Sequence, residues 1–155
     1  MVSIKKILCP TDLSAASRPA LAMACEWAKR FGAELHLLHV VAEFTSTYPY
    51  LGPPFNEVTS WEATIRQQAE SELAIWPLPE GFETLKVVRE LRSGSPIERI
   101  VEYANAPRID LIVMGTHGRS GISHLLLGSV AENVVRRAAC SVLTVRPTEP
   151  PKTTG

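Results

Sequence analysis

The sequence predicts an open α/β fold: a doubly wound, five-stranded parallel sheet with helices on both faces. Three observations carry that expectation. Short apolar runs alternate with longer stretches of helical period, in the order β-α-β-α-β-α-β-α-β. The short runs lack strict apolar–polar alternation, as strands covered on both sides do. The 155-residue chain has the length of one domain, enough for a sizeable core and too little for two catalytic domains. Right-handed crossovers follow by default, and no internal repeat is present.

The elements follow in order. A first strand is expected over Ile4 to Pro10, where Ile7-Leu8-Cys9 follows two lysines. The first helix spans Arg18 to Phe31, with Leu21, Ala24, Cys25 and Ala28 inward and Gly32 as its stop. Pro19 belongs in its first turn, where a missing N–H costs nothing. Glu34 to Val41 forms the second strand. The next segment, Ala42 to Val58, holds Tyr48, Pro49, Tyr50, Pro53, Pro54 and Phe55 and reads as a long loop over the sheet. A second helix is expected from Ser60 to Trp76, opened by a Thr59–Glu62 capping box and buried along Trp61, Ile65, Ala69, Leu73 and Trp76. Leu85 to Leu91 is the third strand. Ser95 as N-cap, Pro96 at the first position and Glu98 at the third open a third helix, inward along Ile97, Ile100, Val101 and Ala104. Leu111 to Met114 is the fourth strand. A fourth helix starts near Ser129 with Val130, Val134 and Ala138 inward, and Ser141 to Arg146 is the last strand. Residues 1–147 form one domain; 148–155 read as a flexible, Pro-rich tail.

Composition narrows the function. Hydrophobic residues make up 45% and charged residues 21%, the balance of a folded protein. Sixteen basic and sixteen acidic residues cancel, so no global field draws the chain to nucleic acid or an anionic membrane. No apolar run approaches a membrane span, and the amino terminus has no secretory pattern. Three scattered cysteines, Cys9, Cys25 and Cys140, suit a reduced compartment and offer no Cys-x-x-Cys site. The expected location is the cytoplasm.

The densest chemical signal is Gly115-Thr116-His117-Gly118-Arg119-Ser120-Gly121, followed by Gly128-Ser129. It opens at the carboxyl end of the fourth strand, the edge where open α/β sheets bind ligands. Such glycines can merely shape turns. Their concentration on one edge, with Ser129 at a helix N-terminus, favours anion binding. There is no Walker-type loop, and no Gly-x-Gly-x-x-Gly follows the first strand. Asp12, in Pro10-Thr11-Asp12-Leu13-Ser14, falls on the same edge. Hydrogen bonding to a ribose or base and capping of the following turn are equal readings of it. Val40 ends the second strand, where its backbone could read a base edge; as a side chain it reads as core. His117 and His124 read as solvated loop residues and Arg119 as a phosphate ligand, rather than as acid–base catalysts. His36 and His39, three apart on a strand, face opposite sides and make a poor metal pair. Trp27, Trp61 and Trp76 lie on helices and read as packing.

Gly115-x2-Gly118-x9-Gly128-Ser129 resembles the nucleotide-binding signature of the universal stress protein family. Lys6 to Ser14, Leu37-Leu38-His39-Val40, Asp110 to Gly115 and Cys140 to Arg146 resemble that family's first strand and turn, second, fourth and last strands, and the resemblance runs over nearly the whole chain from Ile4 to Arg146. The resemblance implies the adenine nucleotide alpha hydrolase-like form of the fold and its ATP-binding subgroup. By that likeness Asp12 and Val40, the latter through its backbone, hold the adenosine of ATP, AMP or ADP, and Pro10 and Thr11 belong to the same cofactor-binding set. Gly115, Gly118, Gly128 and Ser129 carry the phosphates, with Met114 and Arg119 beside them and Val130 in the same cofactor-binding set. With Asp12 the only nearby carboxylate, any magnesium would be held mainly through the nucleotide. It implies a homodimer through the last strand, 141–146, and a nucleotide-responsive regulatory role in stress. The alternative is a slow ATPase or adenylate-transferring enzyme using Arg119 and His117. With balanced charge and no long apolar run, no nucleic-acid or membrane partner is expected.

Overall fold

The computed structural model describes residues 3–43, 55–117 and 127–147. Five strands, β1 (Lys6–Thr11), β2 (Glu34–Val41), β3 (Val87–Ser93), β4 (Leu111–Gly115) and β5 (Ser141–Val145), form one sheet. Among the described residues four α-helices connect them: α1 (Arg18–Phe31), α2 (Phe55–Ile75), α3 (Pro96–Asn105) and α4 (Ser129–Arg137). All strand pairs are parallel and the spatial order is β3-β2-β1-β4-β5. The chain therefore grows outward from β1 to β3, crosses back, and grows outward again from β4 to β5. Its reversal lies between β1 and β4, and their carboxyl ends flank the crevice that such a reversal opens.

Side-chain alternation divides the interior into two slabs. Ile7, Cys9, Leu35, Leu37, Leu111 and Val113 point to one face, against Leu21, Ala24, Cys25 and Ala28 of α1 and Leu73 of α2. Leu8, Leu38, Ile112 and Met114 point to the other, against Ile100 and Ala104 of α3 and Ala131 and Val134 of α4. This is why β1, β2 and β4 read as unbroken apolar runs. The edge strands β3 and β5 are mostly half-buried.

Helix ends follow local chemistry. Pro19 sits in the first turn of α1, and Gly32 ends that helix with φ 63°, a left-handed conformation that glycine adopts without steric cost. Ser95 holds the N-cap position of α3, and its carbonyl accepts from Arg99 N at 3.0 Å; its side chain makes no capping bond. In α4, Glu132 lies in the first turn and Arg136 and Arg137 in the last, complementing the helix dipole.

The second helix departs most from expectation. It begins at Phe55, so Thr59 lies inside it and the Thr59–Glu62 box is not its start. Residues 55–58 are helical rather than loop; 44–54 lie outside the described residues. Ala69 and Leu73 are buried, yet Trp61 is 56% exposed and Ile65 37%. The cause is length. Twenty-one helical residues span about 31 Å, against about 23 Å for the seven residues of β3. Arg89 of β3 donates to the carbonyls of Leu73 and Trp76, and Arg66 reaches Ser93, the last residue of β3. The turns before Arg66 consequently run past the sheet edge. β3 itself starts two residues later than expected, because Leu85 N donates to Phe82 O in a turn. Residues 148–155, expected as a tail, lie outside the described residues.

Candidate functional site

The site is assembled from strand ends. β1 delivers Pro10 and Thr11, and the chain then turns sharply at Asp12. Leu13 takes φ 58°, rare for a residue with a side chain. Short hydrogen bonds hold this turn. Leu13 N donates to Thr11 Oγ1 at 3.0 Å, and Thr11 Oγ1 shares a bond with Ser17 Oγ at 2.9 Å. Ser17 Oγ also lies 2.8 Å from Ser14 O. Asp12 Oδ1 accepts from Ser14 N at 3.0 Å and from Ser14 Oγ at 2.5 Å.

β4 delivers Met114 and Gly115, then Thr116 and His117. Thr116 N donates to Val145 O at 3.1 Å, and His117 Nδ1 lies 3.0 Å from Thr116 Oγ1. Gly128 N donates to Thr116 O at 2.7 Å, bringing the start of α4 against the end of β4. The amino end of α4 offers N–H groups that the helix itself leaves unbonded, with the positive end of its dipole. α3 brings Pro96 and Ile100 to the same edge, and β2 brings Leu38 and Val40.

These residues enclose a cavity of about 610 Å³. Its wall includes Pro10, Thr11, Asp12, Val40, Met114, Gly115, Gly128, Ser129 and Val130, all read from the sequence. Gly118 and Arg119 lie outside the described residues, as do Ser120, Gly121 and His124. Asp12 ties the turn and lines the cavity. Val40 likewise packs against the core and lines the cavity. His117 is a wall residue.

Ser17, Leu38, Pro96, Ile100, Thr116 and Ala131 also line the cavity and were not singled out from the sequence. Pro96 and Ile100 have a topological signal: every helix after a parallel strand begins at the carboxyl edge. Ser17 has none, since its role arises only through Thr11.

The wall is apolar at Leu38, Val40, Ile100, Met114 and Val130, and polar at Asp12, Ser17, Thr116, His117 and Ser129. Asp12 is the one carboxylate among its described residues. No group of three or more His, Cys, Asp or Glu able to hold a metal occurs among the described residues. His36 and His39 do point apart: His36 bonds Tyr103 Oη and Glu34 Oε1, each at 2.8 Å, while His39 bonds Thr11 O at 2.8 Å. Burial pushes the Cys9 thiol up, and the Cys25 thiol up to about 11, so both stay protonated and unreactive at neutral pH.

An open parallel sheet with a cavity at its reversal point, closed by a glycine-led helix, defines a class of small-ligand-binding α/β proteins. Within that class, the family model of the universal stress protein family matches residues 3–146, and the chain belongs to that family. Its relatives include a universal stress protein of Methanocaldococcus jannaschii, 39% identical over 145 residues, covering 92% of this chain and 82% of the relative. The fold is similar to the solved structure of the hypothetical protein MJ0577, with TM-score 0.79, 29% identity, and coverage of 96% of this chain and 100% of that one. It is also similar to a universal stress protein crystallised in complex with cAMP, with TM-score 0.60, 25% identity, and coverage of 95% and 100%.

Proposed function

We propose that this protein binds adenine nucleotides, ATP foremost, in the cavity between β1, β4 and α4, and acts as a dimeric, nucleotide-responsive regulator in the stress response. One observation carries the reading: every described residue that the sequence pointed to lines the same cavity. The apolar wall of Leu38, Val40, Ile100 and Met114 suits a flat base. Asp12 offers a carboxylate to the ribose, and Val40 its backbone to the base edge. Gly115, Gly128 and Ser129, with Gly118 and Arg119, surround the phosphates, where the α4 amino terminus favours negative charge. A structural relative crystallised with cAMP supports the same ligand chemistry. Magnesium would enter on the phosphates, because the described wall holds a single carboxylate. The protein would act in the cytoplasm, paired with a second copy through β5.

Mass spectrometry of the purified protein, and titration calorimetry with ATP and AMP, test this directly. Micromolar or tighter ATP binding, abolished by Gly118→Val and weakened at least tenfold by Asp12→Ala, is expected. A parent protein that neither carries nor binds an adenine nucleotide overturns it. His117 on the cavity wall favours one second reading, slow ATP hydrolysis. Phosphate release that His117→Gln stops while ATP still binds would establish that reading.

A further inference from the structure

We propose that His39 is a positioning residue for Asp12, acting through the Thr11 carbonyl. The inference rests on the nucleotide reading of the cavity. Val40 lines the cavity from one face of β2, so its neighbour His39 projects from the opposite face, on the side of Leu35 and Leu37. From there its Nδ1 sits 2.8 Å from Thr11 O, the carbonyl of the last residue of β1. That carbonyl belongs to the peptide joining Thr11 to Asp12. Fixing it fixes where the Asp12 Cα leaves the strand.

The anchored residue then sets the rest of the turn. Thr11 Oγ1 accepts from Leu13 N and meets the Ser17 hydroxyl, while Asp12 Oδ1 takes both Ser14 donors. Leu13 pays for the turn with a left-handed backbone. Such a conformation persists only where surrounding bonds over-determine it. His39 supplies the bond from outside the turn, from a strand 28 residues away in sequence. The chemistry assigns the tautomer: a carbonyl can only accept, so Nδ1 carries the hydrogen. Nδ1 keeps that hydrogen when the ring is protonated, so the anchor holds in either charge state.

The test uses His39→Leu, which removes the donor, and His39→Asn, whose Nδ2 lies where Nδ1 does. Amide hydrogen exchange at Leu13 and Ser14 is read beside ATP affinity by calorimetry. His39→Leu should speed exchange at both amides about tenfold and weaken ATP about tenfold, the loss of one hydrogen bond. His39→Asn should restore both to within about threefold. In the parent, the nitrogen-15 shifts of His39 should report hydrogen on Nδ1. Parental exchange in the Leu variant, an Asn variant no better than Leu, or hydrogen on Nε2 alone in the parent overturns the proposal. A parent that binds no ATP defeats the nucleotide reading instead, and the exchange and tautomer measurements still decide His39.

Discussion

Gly128 is required by proximity. Its φ of −62° suits any residue, but a Cβ there would lie 2.9 Å from Thr116 O. That carbonyl is backbone and already receives Gly128 N at 2.7 Å, so it cannot retreat without breaking the junction of β4 and α4. Gly128→Ala should cost about 1–3 kcal/mol, read as a lower urea midpoint, with weaker ATP binding. Gly115→Ala should cost less, because its nearest neighbour would be His117 O at 3.4 Å. His36 gives a pH prediction. Burial holds its imidazole below the ordinary value of 6.5, outweighing the pull of Glu34. Above 6.5 its contribution is fully present. As pH falls through 6.5 the unfolded chain takes up a proton that the folded one resists, and stability declines until the folded ring also titrates. Melting temperature should therefore drop between pH 7.5 and 5.5, and less in His36→Gln. At this scale the sequence displays Asp12 and Gly128 through their local patterns. It hides Ser17 and His39, whose partners become neighbours only once the turn and the β1–β2 pairing exist.

Among the elements, α2 separates what periodicity can and cannot reveal. Its inward stripe is correct at Ala69 and Leu73, where the helix lies on β2 and β3, and fails at Trp61 and Ile65, where it has passed the sheet edge. Periodicity reports which face is apolar, not how far the partner surface extends. Leu73→Ala should cost about 2–5 kcal/mol. Ile65→Ala should cost about 0.5 kcal/mol or less, and parallel denaturation curves compare the two. Strand and helix types were legible throughout because β1, β2 and β4 are covered on both faces and α1 and α3 carry Pro19, Gly32 and Pro96 at their ends. The start of α2 was not, since Thr59 and Glu62 mimic a cap inside a helix that had already begun.

For the molecule as a whole, the strand order leaves β3 and β5 as edges. They differ in chemistry. β3 carries Arg89, Glu90 and Arg92, with an ion pair between the last two, whereas β5 reads Ser-Val-Leu-Thr-Val with no charge. Charged edges resist pairing with another chain, and apolar ones invite it. The proposed dimer should therefore use β5 across a two-fold axis, antiparallel and self-complementary. Light scattering at micromolar concentration should give twice the 17.0 kDa chain mass, and Thr144→Lys should shift it toward the monomer. A parent of single-chain mass defeats the arrangement.

The bond from Gly128 N to Thr116 O has one more consequence. It ties a knot at the base of residues 117–127, so the two ends of that stretch meet whatever the stretch contains. The entropy of closing such a span grows only logarithmically, about 0.6 kcal/mol for each doubling of length. For folding alone, sequence between these two pinned points can therefore be exchanged at little cost while sheet and helices keep their places, whereas the proposed nucleotide binding still requires Gly118 and Arg119 within it. In this stretch the demands of folding and those of the proposed binding are therefore separable.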